Sequence, residues 1–560
     1  MITGQPDADS GGAQASAASS AGAPQPRPAA PRPHLLRLRW ALLVAPAGGL
    51  LLACAFAPVG AWPFAVLAPA LLVAALQGRS LRGAFTVGFA FGLAFFIPLL
   101  AWVINLAWFA WIALAVASAL IFAVFAVAQR LLLSLRWWPL AVAGWWVAAE
   151  AFRDRWPWGG FPWGRLAMSQ AGLPTQGWAA IGGPPLLSFV VALTGTTLAW
   201  LLLSAVGGDG ATRRRRTLAG AAAFAVTAGV SCLPAALALD PVPAGAKTAQ
   251  IAAIQGNVPR ARSLVAQVDE LQVTLNHEIA TGKLAAKVTA GTLPRPDLVI
   301  WPENSTSIDP TQDPQIYNEI STAASAIGRP ILVGAVLQNP YRNAAMLWLP
   351  GKGPTTVYLK RQLVPFGEFL PFRALISKIT SLTALLPQDM VPGHQTVLFD
   401  VGQIKLGSVI CYEVAFDSLA RSEVAAGANV LAVQSNDATF EREGPTSQES
   451  GQQLAMARIR AVEFDRAVVY DSTTGFSAFI APGGQVSQRT GLWTQAEIEA
   501  RVPLLTRQTL AERVGAWPEW VMVAGTSLAL CLAIAQAAAG RRRQRAARSA
   551  ARAAAAGEGR

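Results

Sequence analysis

Eight apolar stretches, most of them about as long as a bilayer-spanning helix, constrain the fold of this chain more than any other feature. They lie at residues 40–58, 62–78, 84–104, 107–128, 137–152, 179–205, 217–239 and 516–539. An α-helix needs about 20 apolar residues to cross the hydrocarbon core. The stretches predict a membrane domain at residues 37–240, with seven transmembrane helices, and an eighth helix at residues 516–539. The Gly-Gly-Pro-Pro run at residues 182–185 predicts a kinked or late-starting sixth helix.

The composition agrees with a membrane protein and argues against a nucleic-acid partner. Hydrophobic residues make up 53% of the chain and charged residues only 14%. The net charge of +13 comes largely from arginines that flank the apolar stretches. With a cytoplasmic N-terminus, these arginines fall in alternate loops, as the positive-inside rule requires. The clusters are Arg79 and Arg82, Arg130 and Arg136, Arg213 to Arg216, and Arg541 to Arg545. This orientation puts both termini in the cytoplasm.

The two ends of the chain have compositions typical of disorder. Residues 1–36 are rich in Ala, Ser, Gly and Pro, and residues 540–560 are rich in Ala and Arg. We interpret the first as a disordered N-terminal tail and the second as a disordered, basic cytoplasmic tail.

Residues 247–505, between the seventh and eighth apolar stretches, have a different pattern and contain all the lysines of the chain. Short β-rich runs alternate there with helical patterns, which predicts an α/β domain on the outer side of the membrane. The predicted strands are at 250–255, 297–301, 331–336, 397–401, 406–410, 430–434 and 467–470. The predicted helices are at about 263–286, 314–327, 415–426 and 447–464.

One thiol, one carboxylate and one amine lie at the ends of three β-rich runs in this domain: Cys411, Glu303 and Lys360. A thiol attacks an acyl carbonyl only when a base accepts its proton or a positive charge stabilises its thiolate. Glu303 and Lys360 offer both. The pattern therefore predicts a nucleophilic-cysteine enzyme.

The other cysteines and the histidines do not offer a better arrangement. The remaining cysteines, Cys54, Cys232 and Cys531, lie in apolar stretches, so the sequence predicts a free thiol at Cys411. His34 lies in the tail and His277 in a polar helix. A Cys/His pair would therefore depend on His394 alone.

The motifs around these three residues resemble the Glu, Lys and Cys blocks of the nitrilase superfamily. They are Trp301-Pro302-Glu303, Tyr358-Leu359-Lys360 with the Leu-Val-Pro-Phe-Gly-Glu run at 363–368, and Ile410-Cys411-Tyr412-Glu413. Apolar stretches flank the domain on both sides, and residues 160–164 read Gly-Phe-Pro-Trp-Gly. Over residues 35–540 the chain thus resembles the bacterial apolipoprotein N-acyltransferase family.

This resemblance implies an αββα sandwich outside the cytoplasmic membrane. It implies transfer of an acyl chain from a phospholipid to the α-amino group of the diacylglyceryl-cysteine that begins a lipoprotein. Glu303 would be the general base, Lys360 would stabilise the transition state, and Cys411 would be acylated. No cofactor or metal ion is implied, and the sequence does not identify a partner enzyme.

Three further residues would support the reaction, by the same resemblance. Glu368 would assist Lys360 or the incoming amine, and Tyr412 and Glu413 would shape the pocket behind the thiol. The chain departs from the family pattern at residues 258–263, where a tryptophan is usual, and at Thr439, where an aromatic residue is usual. Both departures concern substrate contacts.

Two segments admit two interpretations each. Residues 156–165 read as a membrane-interface aromatic belt or as the lining of a lipid access route, and Glu150 as an interface residue or as one that positions a headgroup or amine. Residues 369–386 are unusually apolar for a loop, which predicts either a membrane-dipping lid or a helix packed on the sandwich.

Two other functions compete with acyl transfer. The first is a membrane-tethered amidase or nitrilase that hydrolyses a small amide, and the second is a non-catalytic membrane scaffold. The complete Glu, Lys and Cys set argues against the scaffold. A hydrolase of small amides has little use for eight membrane spans.

Overall fold

Eight helices occupy the eight apolar stretches. They are α1 (Leu38–Cys54), α2 (Pro63–Leu76), α3 (Leu81–Leu99), α4 (Trp108–Leu132), α5 (Trp138–Arg153), α6 (Trp178–Ser204), α7 (Gly210–Ser231) and, after the short α8 (Leu233–Ala236) and the α/β domain, α15 (Trp517–Gly557). By length and composition, four helical segments are able to cross a membrane: Leu81–Leu99, Trp108–Leu132, Pro174–Ser204 and Trp517–Ala550. α1 and α2 are apolar but shorter. The other spans remain predictions.

These bounds come from a computed structural model, which describes residues 36–206, 210–236, 242–258, 270–378, 383, 386–441 and 448–557. The predicted N-terminal tail lies almost entirely outside the described residues. Residues 33–537 form one compact unit, and every contact described below belongs to it.

The predicted kink in the sixth helix is confirmed. Gly182 and Gly183 leave helical geometry inside α6, with φ of −143° and 71°. The two prolines that follow lack the N–H groups that a continuous helix would use.

The C-terminal segment differs from its prediction. Instead of becoming disordered after Gly540, the chain continues as α15 to Gly557. Alanine and arginine are among the best helix formers, so a composition that suggested a solvated tail also favours a helix.

Residues 247–505 form two six-stranded sheets. The first has the strand order β12-β1-β2-β3-β4-β5 and the second β11-β10-β9-β8-β7-β6. The strands are β1 (Thr248–Gln255), β2 (Leu298–Ile300), β3 (Ile331–Leu337), β4 (Arg342–Leu349), β5 (Gly353–Leu359), β6 (Leu398–Val401), β7 (Ile404–Ile410), β8 (Val430–Ser435), β9 (Ala467–Ser472), β10 (Ala478–Ile480), β11 (Val486–Ser487) and β12 (Ala496–Pro503).

All seven predicted strands are confirmed. β5 ends directly before Lys360, which agrees with the expected position of Lys360 at the end of a β-rich run, and β4, β10, β11 and β12 were not predicted. β4 is buried along six consecutive residues, so it lacks the polar and apolar alternation that marks a half-exposed strand. β12 pairs antiparallel with β1, from Thr248 opposite Pro503 to Gln255 opposite Ala496. It forms one edge of the first sheet.

Four helices complete the αββα sandwich, which confirms the predicted fold. α9 (Glu270–Thr289) and α10 (Pro314–Ile327) cover the first sheet, and α12 (Asp417–Ala425) and α13 (Glu449–Phe464) cover the second. Two short helices, α11 (Arg373–Ile376) and α14 (Leu510–Val514), follow β5 and β12. Apolar side chains such as Ile300, Leu406 and Val430 fill the space between the sheets. The predicted segment 263–269 lies outside the described residues.

The second helical layer also joins the membrane half. α13 packs against α6, and its apolar side chains share one core with the membrane helices. A buried ion-pair network crosses the same boundary: Arg165 Nη1 lies 2.8 Å from Asp417 Oδ1, and Arg460 Nη2 lies 2.7 Å from the same oxygen. Removing one partner from such a network costs about 3–5 kcal/mol, so the network resists separation of the two halves.

Candidate active site

The structure brings the predicted base, lysine and supporting carboxylate into direct contact. Lys360 Nζ lies 2.8 Å from Glu303 Oε1 and 2.9 Å from Glu368 Oε1. Glu303 follows β2, Lys360 follows β5, and Cys411 follows β7, so all three lie at strand ends. Each is nearly enclosed, with exposed fractions of 4% for Glu303, 2% for Lys360 and 7% for Cys411. The arrangement excludes most water from the thiol.

A close backbone approach positions Glu303. A Cβ atom on Gly334 of β3 would lie 2.1 Å from the Pro302 carbonyl oxygen and 2.7 Å from Glu303 Cα. Only glycine leaves room for this turn. From the other sheet, Gln434 Nε2 donates to the Trp301 carbonyl at 2.6 Å, which ties the two sheets together beside the base.

Cys411 begins a 3-10 turn in a conformation that costs energy. Its φ of 51° lies in the left-handed region, which a side chain other than glycine adopts only when the surroundings hold it there. The Glu413 carboxylate supplies that restraint. It accepts hydrogen bonds from Ile410 N (2.8 Å), Tyr358 OH (2.9 Å), Arg361 N (2.6 Å) and Gln362 N (3.0 Å). Glu413 thus fixes the nucleophile turn to the segment that follows Lys360.

Asn343 of β4 is a site residue that the sequence analysis missed. Its Nδ2 donates to Glu303 Oε1 at 2.7 Å and to Glu368 Oε1 at 2.8 Å, parallel to the Lys360 bridge. The remaining carboxylate oxygens accept backbone N–H groups, Asn436 N to Glu303 at 2.9 Å and Val364 N to Glu368 at 2.8 Å. Asn343 follows Arg342 at the polar start of β4, before the apolar run, so the sequence carries no distinct signal for it.

The pKa values follow from burial and from this charge arrangement. Burial disfavours the charged form of Lys360, but Glu303, Glu368 and the Cys411 thiolate outweigh it, so the pKa of Lys360 lies well above its usual value. Burial raises the pKa of Glu303, Glu368 raises it further, and Lys360 offsets part of the rise. Burial and the Glu303 charge hold the pKa of the Cys411 thiol well above its usual range, and Lys360 opposes them. Glu303 is therefore a stronger base than an exposed glutamate.

This arrangement predicts how acylation of Cys411 depends on pH. Only unprotonated Glu303 accepts the thiol proton, and its pKa is raised, so the rate should increase with pH through a range above that of an ordinary glutamate. Lys360 remains charged throughout that range. The check is the initial rate of adduct formation across pH. A rate that stays constant down to about pH 4, where exposed glutamate titrates, would contradict the assignment of the base.

Tyr412 points to the membrane half. Its hydroxyl donates to the Gly160 carbonyl oxygen at 2.9 Å, and its ring stacks on Phe161 and Trp163 at centroid distances of 6.3 and 6.4 Å. Trp163 is buried. Residues 160–163 therefore pack beneath the nucleophile turn, and only the preceding part of the segment, with exposed Trp156 and Trp158, is accessible as an aromatic belt or lipid route.

Of the two histidines that the structure describes, His277 and His394, neither is hydrogen-bonded to the Cys411 thiol. His277 is buried in α9 against Trp301, its Nδ1 is bonded to the Val273 carbonyl, and burial lowers its pKa to about 4. His394 is exposed. Cys411 is free, as predicted, and so are the three other cysteines.

The chain departs from the family pattern at Thr439, where an aromatic residue is usual, and at residues 258–263, where a tryptophan is usual. Phe440, one residue after Thr439, makes an edge-to-face contact with Trp102 at a centroid distance of 5.1 Å, so an aromatic side chain is present near the expected place. Residues 259–263 lie outside the described residues.

The chain is similar to known proteins along most of its length. Residues 48–197 match the apolipoprotein N-acyltransferase N-terminal domain, and residues 247–541 match the carbon-nitrogen hydrolase family. An apolipoprotein N-acyltransferase from Mycolicibacterium smegmatis is 38% identical, covering 88% of this chain and 85% of that protein. Another from Azotobacter vinelandii is 30% identical, covering 85% of this chain and 92% of that protein. An amidase structure from Nesterenkonia sp. AN1 covers 50% of this chain and 98% of its own, at 18% identity and a TM-score of 0.36.

Proposed function

Since the chain belongs to the apolipoprotein N-acyltransferase family, we propose that it carries an acyl chain on Cys411 from a phospholipid to a lipoprotein. The acceptor is the α-amino group of the N-terminal diacylglyceryl-cysteine. The protein is an acyltransferase and a membrane protein. The observation that carries the detailed proposal is the Lys360 ammonium held between Glu303 and Glu368 beside a buried thiol.

In the first half-reaction, Glu303 accepts the Cys411 proton and Sγ attacks the ester carbonyl of the phospholipid. The Lys360 ammonium and the backbone N–H of Tyr412 stabilise the oxyanion of the tetrahedral intermediate. Its collapse breaks the ester C–O bond, and the departing lysophospholipid alkoxide takes the proton from Glu303. The acyl chain remains on Sγ as a thioester.

In the second half-reaction, the neutral α-amine of the lipoprotein attacks the thioester carbonyl and gives a proton to Glu303. The C–S bond breaks, an amide forms, and the departing thiolate recovers the proton from Glu303. Glu368 contacts Lys360 and assists the incoming amine in this second half-reaction, and Glu413 keeps the nucleophile turn in place.

An exposed aromatic cluster supports a lipid substrate. Trp158 of the membrane half makes edge-to-face contacts with Phe366 and Phe372, at centroid distances of 5.9 and 6.0 Å. Phe372 is 68% exposed and Leu375 is 59% exposed, which favours a membrane-dipping lid over a helix packed on the sandwich. Ile379, Leu382 and Leu385, which the sequence analysis assigned to the same lid, lie outside the described residues.

A membrane scaffold and a small-amide hydrolase, the two alternative functions, explain the buried lysine and the exposed aromatic cluster less well. A scaffold has no use for a lysine buried between two carboxylates, since burying such charges is costly. A small-amide hydrolase has no use for an exposed apolar cluster at the junction with the membrane half.

We also propose that the α/β domain lies outside the cytoplasmic membrane and that both termini lie inside. Arg130, in the last turn of α4, donates from Nε to the Arg79 carbonyl at 2.7 Å, so residues of two arginine clusters meet at one end of the helices. This is the end that the positive-inside rule assigns to the cytoplasm.

A labelling experiment checks this orientation. The exposed residues Lys352 of the α/β domain and Arg215 of α7 serve as a matched pair of reporter sites. In intact spheroplasts, a membrane-impermeant maleimide should label Lys352→Cys and should label Arg215→Cys only after permeabilisation. A tag placed after Arg545 should be protected in the same way. Labelling of Arg215→Cys in intact cells would reverse the orientation.

The function is tested with two acceptors that differ in one group. The purified full chain is incubated in phospholipid vesicles with a diacylglyceryl-cysteine peptide that has either a free or an acetylated amino terminus. The proposal predicts N-acylated peptide from the free amine alone, with little free fatty acid. Equal release of fatty acid with both peptides and no N-acylated product would instead support the amidase-like hydrolase.

A further inference from the structure

The Cys411 sulfur has one hydrogen-bond partner among the described residues, and it comes from α13. Gln453 Nε2 lies 3.5 Å from Cys411 Sγ, within hydrogen-bonding distance for sulfur. The Gln453 side chain is only 2% exposed. An enclosed thiolate has few water molecules to solvate it, so a protein donor at this position has a large effect on its stability.

The amide of Gln453 is held in one orientation by its other contacts. Its Nε2 also donates to Glu449 Oε1, one helical turn earlier. Its Oε1 accepts from Tyr470 OH at 3.3 Å and lies 3.1 Å from Ser435 Oγ. A primary amide has two N–H donors, so one reaches Glu449 and the other remains for the sulfur. Rotating the amide would put its oxygen against both Sγ and Glu449.

Burial disfavours the charged form of Glu449, the carboxyl group that orients Gln453. Burial raises the pKa of Glu449 well above its usual value, and the Asp437 and Glu441 carboxylates raise it further. A neutral carboxyl group still accepts the amide hydrogen bond through its carbonyl oxygen. Asp437 is itself held by Ser435 Oγ at 2.6 Å and Ser472 Oγ at 2.9 Å. Buried hydroxyl and carboxyl groups thus fix the donor.

We propose that Gln453 is a further catalytic residue, whose side-chain amide donates a hydrogen bond to the Cys411 sulfur. The proposal rests on the acyl-transfer function above. The same bond stabilises the thiolate twice, when it attacks the phospholipid ester and when it leaves the thioester. Glu303 accepts the thiol proton and Lys360 stabilises the oxyanion, whereas Gln453 stabilises the negative charge on sulfur.

Gln453→Met tests this proposal, because methionine has a similar length and no donor. Hydrogen bonds to charged groups change equilibria by roughly ten- to a hundredfold. The rate of Cys411 alkylation by iodoacetamide near neutral pH, followed by mass spectrometry, should fall by about tenfold or more, and its pH profile should move to higher pH. The groups Glu303, Lys360, Glu449 and Asp437, which also act on the thiol, are unchanged in this variant.

Gln452→Met is the matched control. Gln452 is the adjacent residue of α13, is also buried, and donates to the Ala57 and Leu99 carbonyl groups of the membrane half. Gln452 Oε1 also accepts from Trp163 Nε1, so its loss removes three hydrogen bonds without touching the sulfur. The alkylation profile should therefore match that of the wild type.

Gln453→Asn keeps the polarity of the site but shortens the side chain, so the donor no longer reaches Sγ. It gives the same shift if Gln453→Met does not fold. A wild-type alkylation profile in a folded Gln453 variant would overturn the proposal. Alkylation does not require acyl chemistry, so this result is distinct from a failure of the wild type to form an acyl adduct, which would instead contradict the acyl-transfer function.

Discussion

Cys411→Ser should abolish acyl transfer, lowering its rate by roughly 10⁴-fold or more, while the protein remains folded. A serine hydroxyl is far less acidic than a thiol, and Glu303 is not basic enough to remove its proton. The site tolerates the exchange structurally because the left-handed turn is held by Glu413 and not by the sulfur. The measurement is N-acylation of a lipopeptide in phospholipid vesicles.

Cys531→Ser is the control for this variant. Cys531 is a free, exposed cysteine of α15, so its replacement should leave the transfer rate unchanged. Equal thermal unfolding of both variants and the wild type would establish that folding is intact. Near-wild-type transfer by folded Cys411→Ser would remove Cys411 from the role of nucleophile.

Glu303→Gln should lower the rate of acyl-thioester formation by about 10²- to 10⁴-fold, the usual contribution of a general base. The change keeps the shape of the side chain, and Lys360 retains its contact with Glu368 at 2.9 Å. The rate of adduct formation on Cys411 from phospholipid alone is the measurement. A rate of adduct formation equal to that of the wild type would show that a group other than Glu303 accepts the thiol proton.

Glu368→Gln is the matched comparison, because both carboxylates contact Lys360 and Asn343 at nearly equal distances. We expect this variant to form the thioester and to be slow mainly in transfer to the amine. If both variants lose thioester formation equally, the two carboxylates act as one unit and the division of roles is wrong.

The parts of the fold that follow from local pattern were predictable. Short apolar runs bounded by polar residues correctly predicted seven of the strands, and the Gly-Gly-Pro-Pro run correctly predicted the kink in α6. β4 was missed because burial of six consecutive residues removes the alternation that marks a half-exposed strand. The helical end of α15 was missed because alanine and arginine suit both a solvated tail and a helix.

The site was predictable to the extent that its residues have local motifs. Glu303, Lys360 and Cys411 each end a strand, and strand ends on the same side of a sandwich meet. Asn343 and Gln453 have no such motif, since their contacts depend on strand register and on the docking of α13. The role of Tyr412 in contacting the membrane half also depends on packing between segments distant in sequence.

Acyl transfer through Cys411 is best tested by the intact-protein mass after incubation with phospholipid. We expect a gain equal to one acyl chain, located on Cys411 and absent from Cys411→Ser. The adduct should persist in buffer, because the site excludes water, and should disappear when a diacylglyceryl-cysteine peptide with a free amino terminus is added. An unmodified mass, or an adduct that turns over to free fatty acid at the same rate with and without the peptide, would contradict acyl transfer through Cys411.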